Sequence, residues 1–208
     1  MKVLLILIMF QNILKNLVFF FALTLTAQHS YGAFILAPSV GYKMQTIKLT
    51  DNLDSASEFK ASNPVFGLKL GFLSASGVSL DIAGSYVSGK GKAASGGSST
   101  EVSQDFTEQS AAVQFGISTN TFKIYLGYLL MNEAKIKKPG SDVTYKGPGY
   151  QAGLAFHLTS ALSLGVQYQI DQYNQIKFDA LGSSFDDIKN YYKKVDSQST
   201  TINLTYSF

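Results

Sequence analysis

His157 is the only histidine beyond residue 32, and Ser163 follows it by six positions. An imidazole beside a hydroxyl is the start of a nucleophile–base pair, and such a pair needs a third group to orient the ring. Asn203 has suitable chemistry for that role. The plainer reading is an interior histidine satisfied by hydrogen bonds, and the surroundings favour it, because the pair falls beside a short turn. Cysteine is absent, which excludes thiolate metal sites, disulfides, a Cys nucleophile and a lipoprotein anchor. One histidine among scattered carboxylates forms no metal constellation, and no cofactor is implied. Gly89-Lys90-Gly91-Lys92 through Gly97 has the composition of a phosphate loop. It lacks the Gly-Lys-Ser/Thr spacing of one, and it reads as a flexible surface loop. The 17 basic residues are all Lys, against 14 acids, for a formal charge of +3. Without the planar fork of Arg and with so little net charge, nucleic acid is not an expected partner.

What must position these side chains is a run of β-strands. From Ala33 onward the sequence alternates large apolar residues with small polar ones, the period of a strand with two unlike faces. Eight segments show it, beginning near Leu36, Phe66, Val78, Ala111, Phe122, Tyr150, Leu162 and Thr200. The apolar lane carries no charge in any of the eight. In the other lane only Leu129 is a large aliphatic, and seven glycines sit there against one, Gly84, in the apolar lane. A soluble sandwich would bury its aliphatics inside and turn its charges outward, yet the small lane has too little apolar volume to be a core. The bulky lane must then face hydrocarbon, and the small lane must fill a narrow lumen. The fold class is therefore all-β, an eight-stranded antiparallel up-and-down transmembrane barrel. Closure also removes sheet edges that a bilayer cannot hydrate. Phe72, Phe115, Phe122, Phe156 and Phe208 fall near one end of the lanes. Tyr42, Tyr86, Tyr128, Tyr150 and Tyr168 fall near the other, giving two interfacial girdles.

Three connections are tight, at Ser74-Ala75-Ser76, Thr119-Asn120 and Thr159-Ser160-Ala161; four are long and polar, about 46–63, 88–106, 132–147 and 172–199. Lumen parity collects Lys43, Lys69, Asp81, Lys123 and Asp171, and when extended it adds Glu133, three charges of each sign. A turn of three residues at Ser74-Ala75-Ser76 places Lys69 directly opposite Asp81, where a salt bridge is expected. A balanced interior favours a closed plug over an ion-selective pore. Lys135, Lys137 and Lys138 sit at the foot of the third loop, where they read first as an ordinary solvated face and second as a contact with the phosphates of outer-membrane lipids and lipopolysaccharide. Leu181, Phe185, Ile188 and Tyr192 have helical spacing and predict a short amphipathic helix that caps the mouth or binds a surface partner.

Residues 1–32 read as a signal peptide cut before Ala33, with translation starting at Met1 or at Met9. The mature chain would carry 15 Lys and 14 acids. The terminal strand, Thr201-Ile202-Asn203-Leu204-Thr205-Tyr206-Ser207-Phe208, resembles that of the small OmpA/OmpX-type outer-membrane barrels. In that superfamily a polar residue, a Gly and alternating aromatics ending in Phe form the signal read by the barrel assembly machinery. Thr201, Tyr206 and Phe208 match it, and Asn203 stands where Gly is usual. The resemblance covers Ala33–Phe208 and implies a monomeric barrel in the bacterial outer membrane. It does not imply an activity, because this architecture hosts adhesins, pores and enzymes. The expected role is structural or surface interaction through the loops, with an extracellular ligand of unspecified kind. The alternatives are a small-solute channel, or a hydrophobic-substrate conduit with a lateral opening near Pro38. A hydrolase is the least favoured.

Overall fold

The computed structural model describes residues 32–95, 102–138, 140, 142–180 and 184–208. The segment read as a signal peptide, Gly96 and Gly97 of the glycine-rich stretch, and Leu181 of the expected helix lie outside these residues.

Alternation of side chains drives each strand, and each strand runs further than its alternating core. The strands are β1 (Ala33–Asp51), β2 (Ala56–Leu73), β3 (Val78–Ser95), β4 (Val102–Ser118), β5 (Phe122–Lys137), β6 (Val143–Lys146), β7 (Gly149–His157), β8 (Leu162–Tyr173), β9 (Gln175–Phe178), β10 (Asp186–Asp187) and β11 (Tyr192–Tyr206). All pairings are antiparallel, and β1 pairs with both β2 and β11, so the sheet closes. The result is a closed barrel of 8 staves. The sixth stave is β6 and β7, interrupted at Gly147-Pro148; the seventh is β8 and β9, interrupted at Asn174. Proline cannot donate to a ladder, which accounts for the first of these breaks.

The apolar lanes point outward over one half of the barrel. Val40, Phe66, Ile82, Phe115, Leu126, Tyr150, Val166 and Ile202 are all exposed. Beyond the Tyr girdle the same strands continue with the opposite polarity. Ile47, Phe59, Phe106, Ile136, Tyr145, Ile176 and Val195 point inward and are buried to 2 % exposure or less. Their neighbours Lys48, Lys60, Lys92 and Lys137 point outward and are exposed. The long connections foreseen over 46–63, 88–106, 132–147 and 172–199 are therefore mostly wall. The first narrows to 52–55, where the Asp51 carboxylate accepts from the amides of Leu53 and Ser55. Gly89–Ser95, expected as a loop, is the upper part of β3. Their polar residues read as loop because above the membrane the outer face is the wet one.

Two turns are longer than expected. Between β2 and β3, Gly77 adopts a positive φ of 85°, and Leu73 pairs with Ser79. This shifts the ladder so that Gly71, not Lys69, lies opposite Asp81, while Lys69 lies opposite Ala83. A slip of even number preserves which lane faces the lumen. The second adjusted turn pairs Ser118 with Lys123. The third matches expectation, with His157 opposite Ser163.

On β5 the ladder jumps from Ala112–Leu129 to Ala111–Met131, leaving Leu130 as a bulge. The extra residue reverses the parity of everything above it. Glu133 consequently faces outward, where it pairs with Lys146 at 3.1 Å, and it does not join the lumen.

Candidate functional site: the filled lumen and the collar above it

The lumen is built in tiers. At the turn end, His157 Nδ1 lies 2.8 Å from Ser163 Oγ and its Nε2 lies 3.2 Å from Ser118 Oγ. Both ring nitrogens thus meet hydroxyls. Asn203 pairs instead with Gly41 and Gly165, and its side chain fills the space those glycines leave. No orienting third member stands behind the imidazole among the described contacts.

One tier higher, Lys123 Nζ meets Asp81 Oδ2 at 2.6 Å. The salt bridge anticipated for Lys69 thus belongs to Lys123, and the longer β2–β3 turn has moved Lys69 from opposite Asp81 to opposite Ala83. Lys69 lies over the Tyr125 ring, its Nζ 4.8 Å from the centroid, a cation–π contact. That ring lies against Gly153, where any Cβ would run into it. The Tyr125 hydroxyl donates to Gln167 Oε1 at 3.0 Å.

The middle of the lumen is lined by Gln114, Gln151, Gln167 and Gln169, with Lys43 and Lys69 at its ends. It contains a cavity of about 50 Å³, room for a few water molecules and too small for a hydrated pore. Above it, Lys43 Nζ binds Glu108 Oε1 at 2.5 Å, both groups buried to 3 % exposure or less. Gln169 Nε2 donates to both carboxylate oxygens of Asp171, at 3.0 and 3.1 Å. The interior charges are thus Lys43, Lys69 and Lys123 against Asp81, Glu108 and Asp171. The balance anticipated from the sequence is kept, with Glu108 in the place assigned to Glu133. Reading the fourth lane backward from Ala112 through Ser110 reaches Glu108 at the same parity. The adjacent apolar pair Leu130-Met131 is the sequence trace of the bulge.

A barrel with hydrocarbon-facing aliphatics, two aromatic girdles and a charge-balanced filled lumen is the arrangement expected in an outer membrane. The sequence matches the model of the outer membrane protein beta-barrel domain over residues 17–208. The chain belongs to this family.

Similar barrels have been solved. The attachment invasion locus protein Ail of Yersinia pestis, crystallised with the heparin analogue sucrose octasulfate, shares 16% identity over 84% of this chain and 99% of its own, at a TM-score of 0.51. OprG of Pseudomonas aeruginosa shares 15% over 86% and 97%, at 0.50. AlkL, solved in lipid bilayers, shares 14% over 87% and 93%, also at 0.50. These likenesses concern the fold. No curated protein matches the sequence.

In this outer-membrane barrel the lumen above Asp171 is closed by the apolar tier. The rings of Phe59 and Phe106 lie 5.4 Å apart and those of Tyr145 and Tyr173 lie 5.9 Å apart, packed among Ile47, Ile136 and Ile176. Burial pushes the Tyr145 phenol well above its ordinary range. Ile188 plugs the same core from a single 3₁₀ turn, Ile188–Asn190. The amphipathic helix expected over 181–192 is replaced, among the described residues, by that turn between two strands. Asp187 and Tyr191 flank it, and Asp187 caps it by accepting from the Lys189 amide at 2.9 Å.

The three lysines foreseen as head-group contacts stand near the tip of the β5–β6 hairpin rather than at its foot, since the connection spans only 138–142. Lys135 is held by Asp142 and Asp179, each at 2.9 Å. The Asp179 and Asp142 carboxylates raise its pKa, and Lys135 in turn lowers that of Asp179. Lys137 points outward and is exposed, whereas Lys138 lines a mouth pocket beside Phe59 and Tyr145. The terminal-strand residues are placed as a wall element: Thr201 faces inward, and Tyr206 and Phe208 face outward with ring centroids 4.8 Å apart.

Proposed function

We propose that this outer-membrane barrel is a closed, non-conducting membrane anchor that acts through the rigid collar it raises beyond the bilayer. The observation that carries this reading is the two-stage seal of the lumen. Ion-paired side chains fill the membrane half, and an apolar core fills the collar. A hydrated ion crossing it would have to break the Lys43–Glu108 pair and then dehydrate against Phe59 and Phe106. The wide mouth faces the exterior and the tight turns face the periplasm, as in other small barrels of this type. A cleaved signal peptide delivers the chain, and Thr201, Tyr206 and Phe208 present it to the assembly machinery as a monomer. The collar and its hairpin tips offer the surface to an extracellular ligand. Protein refolded into a planar bilayer should give no sustained single-channel current. Steady, size-selective conductance would establish a small-solute channel instead.

One observation favours a second reading, a conduit for a hydrophobic solute. A pocket of about 210 Å³ opens at the mouth, lined in part by Leu49, Phe59, Ile136 and Tyr145. The ladder beside Pro38 is continuous, since Pro38 pairs with Leu68 and the Phe208 amide donates to the Leu36 carbonyl at 3.0 Å. A lateral exit there has no structural support. Uptake of an alkane or fatty acid by cells carrying the protein, abolished by Ile136→Arg, would favour the conduit.

A further inference from the structure

The small cavity in the middle of the lumen has two ammonium groups in its wall and no carboxylate among the described residues that line it. Lys43 and Lys69 stand at its ends, with Gln114, Gln151, Ser85 and Ser110 between them. Outside the described residues the sequence has a single acid, Glu101, bonded to Val102 at the collar end of β4.

The two lysines differ in what answers their charge. Lys43 binds Glu108. Lys69 makes no ion pair among the described residues, and its contact is the face of the Tyr125 ring. Asp81 gives Oδ2 to Lys123, while its Oδ1 lies over Gly71. Balance of charge over the whole lumen is not balance at each point, and an ammonium enclosed by an oil-facing wall is costly unless a counter-charge touches it. The cavity also holds unused hydrogen-bonding groups. Gln151 Nε2 and Gln114 Oε1 are buried without a partner. A half-turn of the Gln114 amide exchanges its oxygen for its NH₂ group, so each glutamine can offer a donor. The Ser85 and Ser110 hydroxyls, 2.7 Å apart, spend one hydrogen on each other and keep one to give. Water would serve the amides, yet it carries no charge for Lys69.

We infer that this cavity is a binding site for a small monovalent anion, chloride, held by the Lys69 ammonium and by the amides of Gln114 and Gln151. At about 50 Å³ the cavity has room for the ion and one water, each roughly the 30 Å³ that a water molecule takes in the liquid. The fixed donors replace the hydration shell that the ion sheds on entry. A divalent oxyanion would leave one of its charges unmatched. The site stands on the cavity and not on the collar: a barrel that conducted, or that bound nothing at its mouth, would still hold the ion.

The test has two arms. Crystals of the wild-type protein refolded and grown in sodium bromide, measured at the bromine edge, should show an anomalous peak inside the cavity in contact with Lys69 Nζ. The second arm is urea titration at constant ionic strength, with chloride replacing gluconate, an anion too large for the cavity. Each tenfold rise in chloride above the dissociation constant should raise the folding equilibrium constant about tenfold. Lys69→Met should abolish this dependence, and Gln151→Leu should weaken it several-fold. The control Lys177→Gln, on the collar, should keep it in full. A cavity holding water alone, a Lys69 ammonium turned onto Asp81 Oδ1, no chloride dependence in the wild type, a dependence that survives Lys69→Met, or one lost equally in the control would each overturn the proposal. If Lys69→Met does not refold, an undiminished dependence in Gln151→Leu overturns it in the same way.

Discussion

The two halves of this barrel use the same strands with opposite chemistry. Along β5 the side chains of Ile124, Leu126, Tyr128 and Leu130 point outward and are apolar, while the inward ones are Lys123, Tyr125, Gly127 and Leu129. Past the bulge the outward ones are Glu133, Lys135 and Lys137, and the inward ones are Asn132, Ala134 and Ile136. Nothing in the backbone changes apart from one inserted residue. What changes is the solvent on the outside: oil around the lower half, water around the collar. The interior must be its complement. In oil the wall can take all the aliphatics, so the lumen is left to small residues and paired charges. In water the aliphatics return inside and form a conventional hydrophobic core, Ile47, Phe59, Phe106, Ile136 and Ile176 among them.

That contrast can be broken on either side. The largest effects should come from removing one partner of an interior pair or one ring of the collar core. Lys43→Met leaves Glu108 buried and unpaired and should destabilise by roughly 3–5 kcal/mol, most of it recovered in the double variant with Glu108→Leu. Phe106→Ala opens the collar core and should cost about 3–5 kcal/mol. Urea titration of the refolded protein, followed by gel mobility and fluorescence of its tyrosines, measures both. Next comes Leu126→Lys, a charge on the oil-facing wall, at ~2–4 kcal/mol near mid-bilayer. Its counterpart on the collar, Gln198→Lys, should be close to neutral. If the two substitutions cost the same, the difference in outer solvent is wrong.

Smaller effects sharpen the picture. His157→Ala removes two hydroxyl partners and should cost on the order of 1 kcal/mol. An ester-hydrolysis rate present in the wild type and lost in this variant would revive the Ser163–His157 pair as chemistry. The smallest effect concerns pH. Asp179 is held below its ordinary value of 3.8 by Lys135, so its contribution is present above that value and is lost as pH falls through the lowered one. Lys135 is held above its ordinary 10.5, so its contribution is present below that value and is lost as pH rises through the raised one. Hydrogen-exchange protection factors in β6 and β9, corrected for the intrinsic pH dependence of amide exchange, should therefore be highest between these limits and should fall at either extreme. Because the groups are exposed, the change should be slight.

The membrane half was legible because a period of two with a charge-free lane has no other stable use. The lanes, the girdles and the interior positions of Lys43, Lys69, Asp81, Lys123 and Asp171 follow from parity, and the His157–Ser163 contact follows from the three-residue turn between them. The collar was not legible, because a strand with wet outer residues carries the same polar composition as a loop. Ser, Lys and Asp at 46–63 and 172–199 look alike in either state, and it is inward apolar residues such as Ile47, Phe59, Tyr173, Ile176 and Val195 that separate them. Pairing depended on features shorter than a lane: the positive φ at Gly77 moved Asp81 away from Lys69, and the Leu130 bulge turned Glu133 outward. The helix expected from Leu181, Phe185, Ile188 and Tyr192 failed for a related reason. Ile188 needs only to reach the collar core, and one 3₁₀ turn between strands does that.

The reversal of exterior polarity at the Tyr girdle can be read directly, since the chain has no native cysteine to interfere. Single cysteines placed at outward positions of β5, spin-labelled and reconstituted in bilayers, report whether oxygen or a water-soluble nickel chelate relaxes them. The account predicts oxygen-dominated relaxation at positions 124, 126 and 130, and nickel-dominated relaxation at 133, 135 and 137, with the crossover near Leu130. Nickel access throughout, or oxygen dominance continuing to 137, would contradict it.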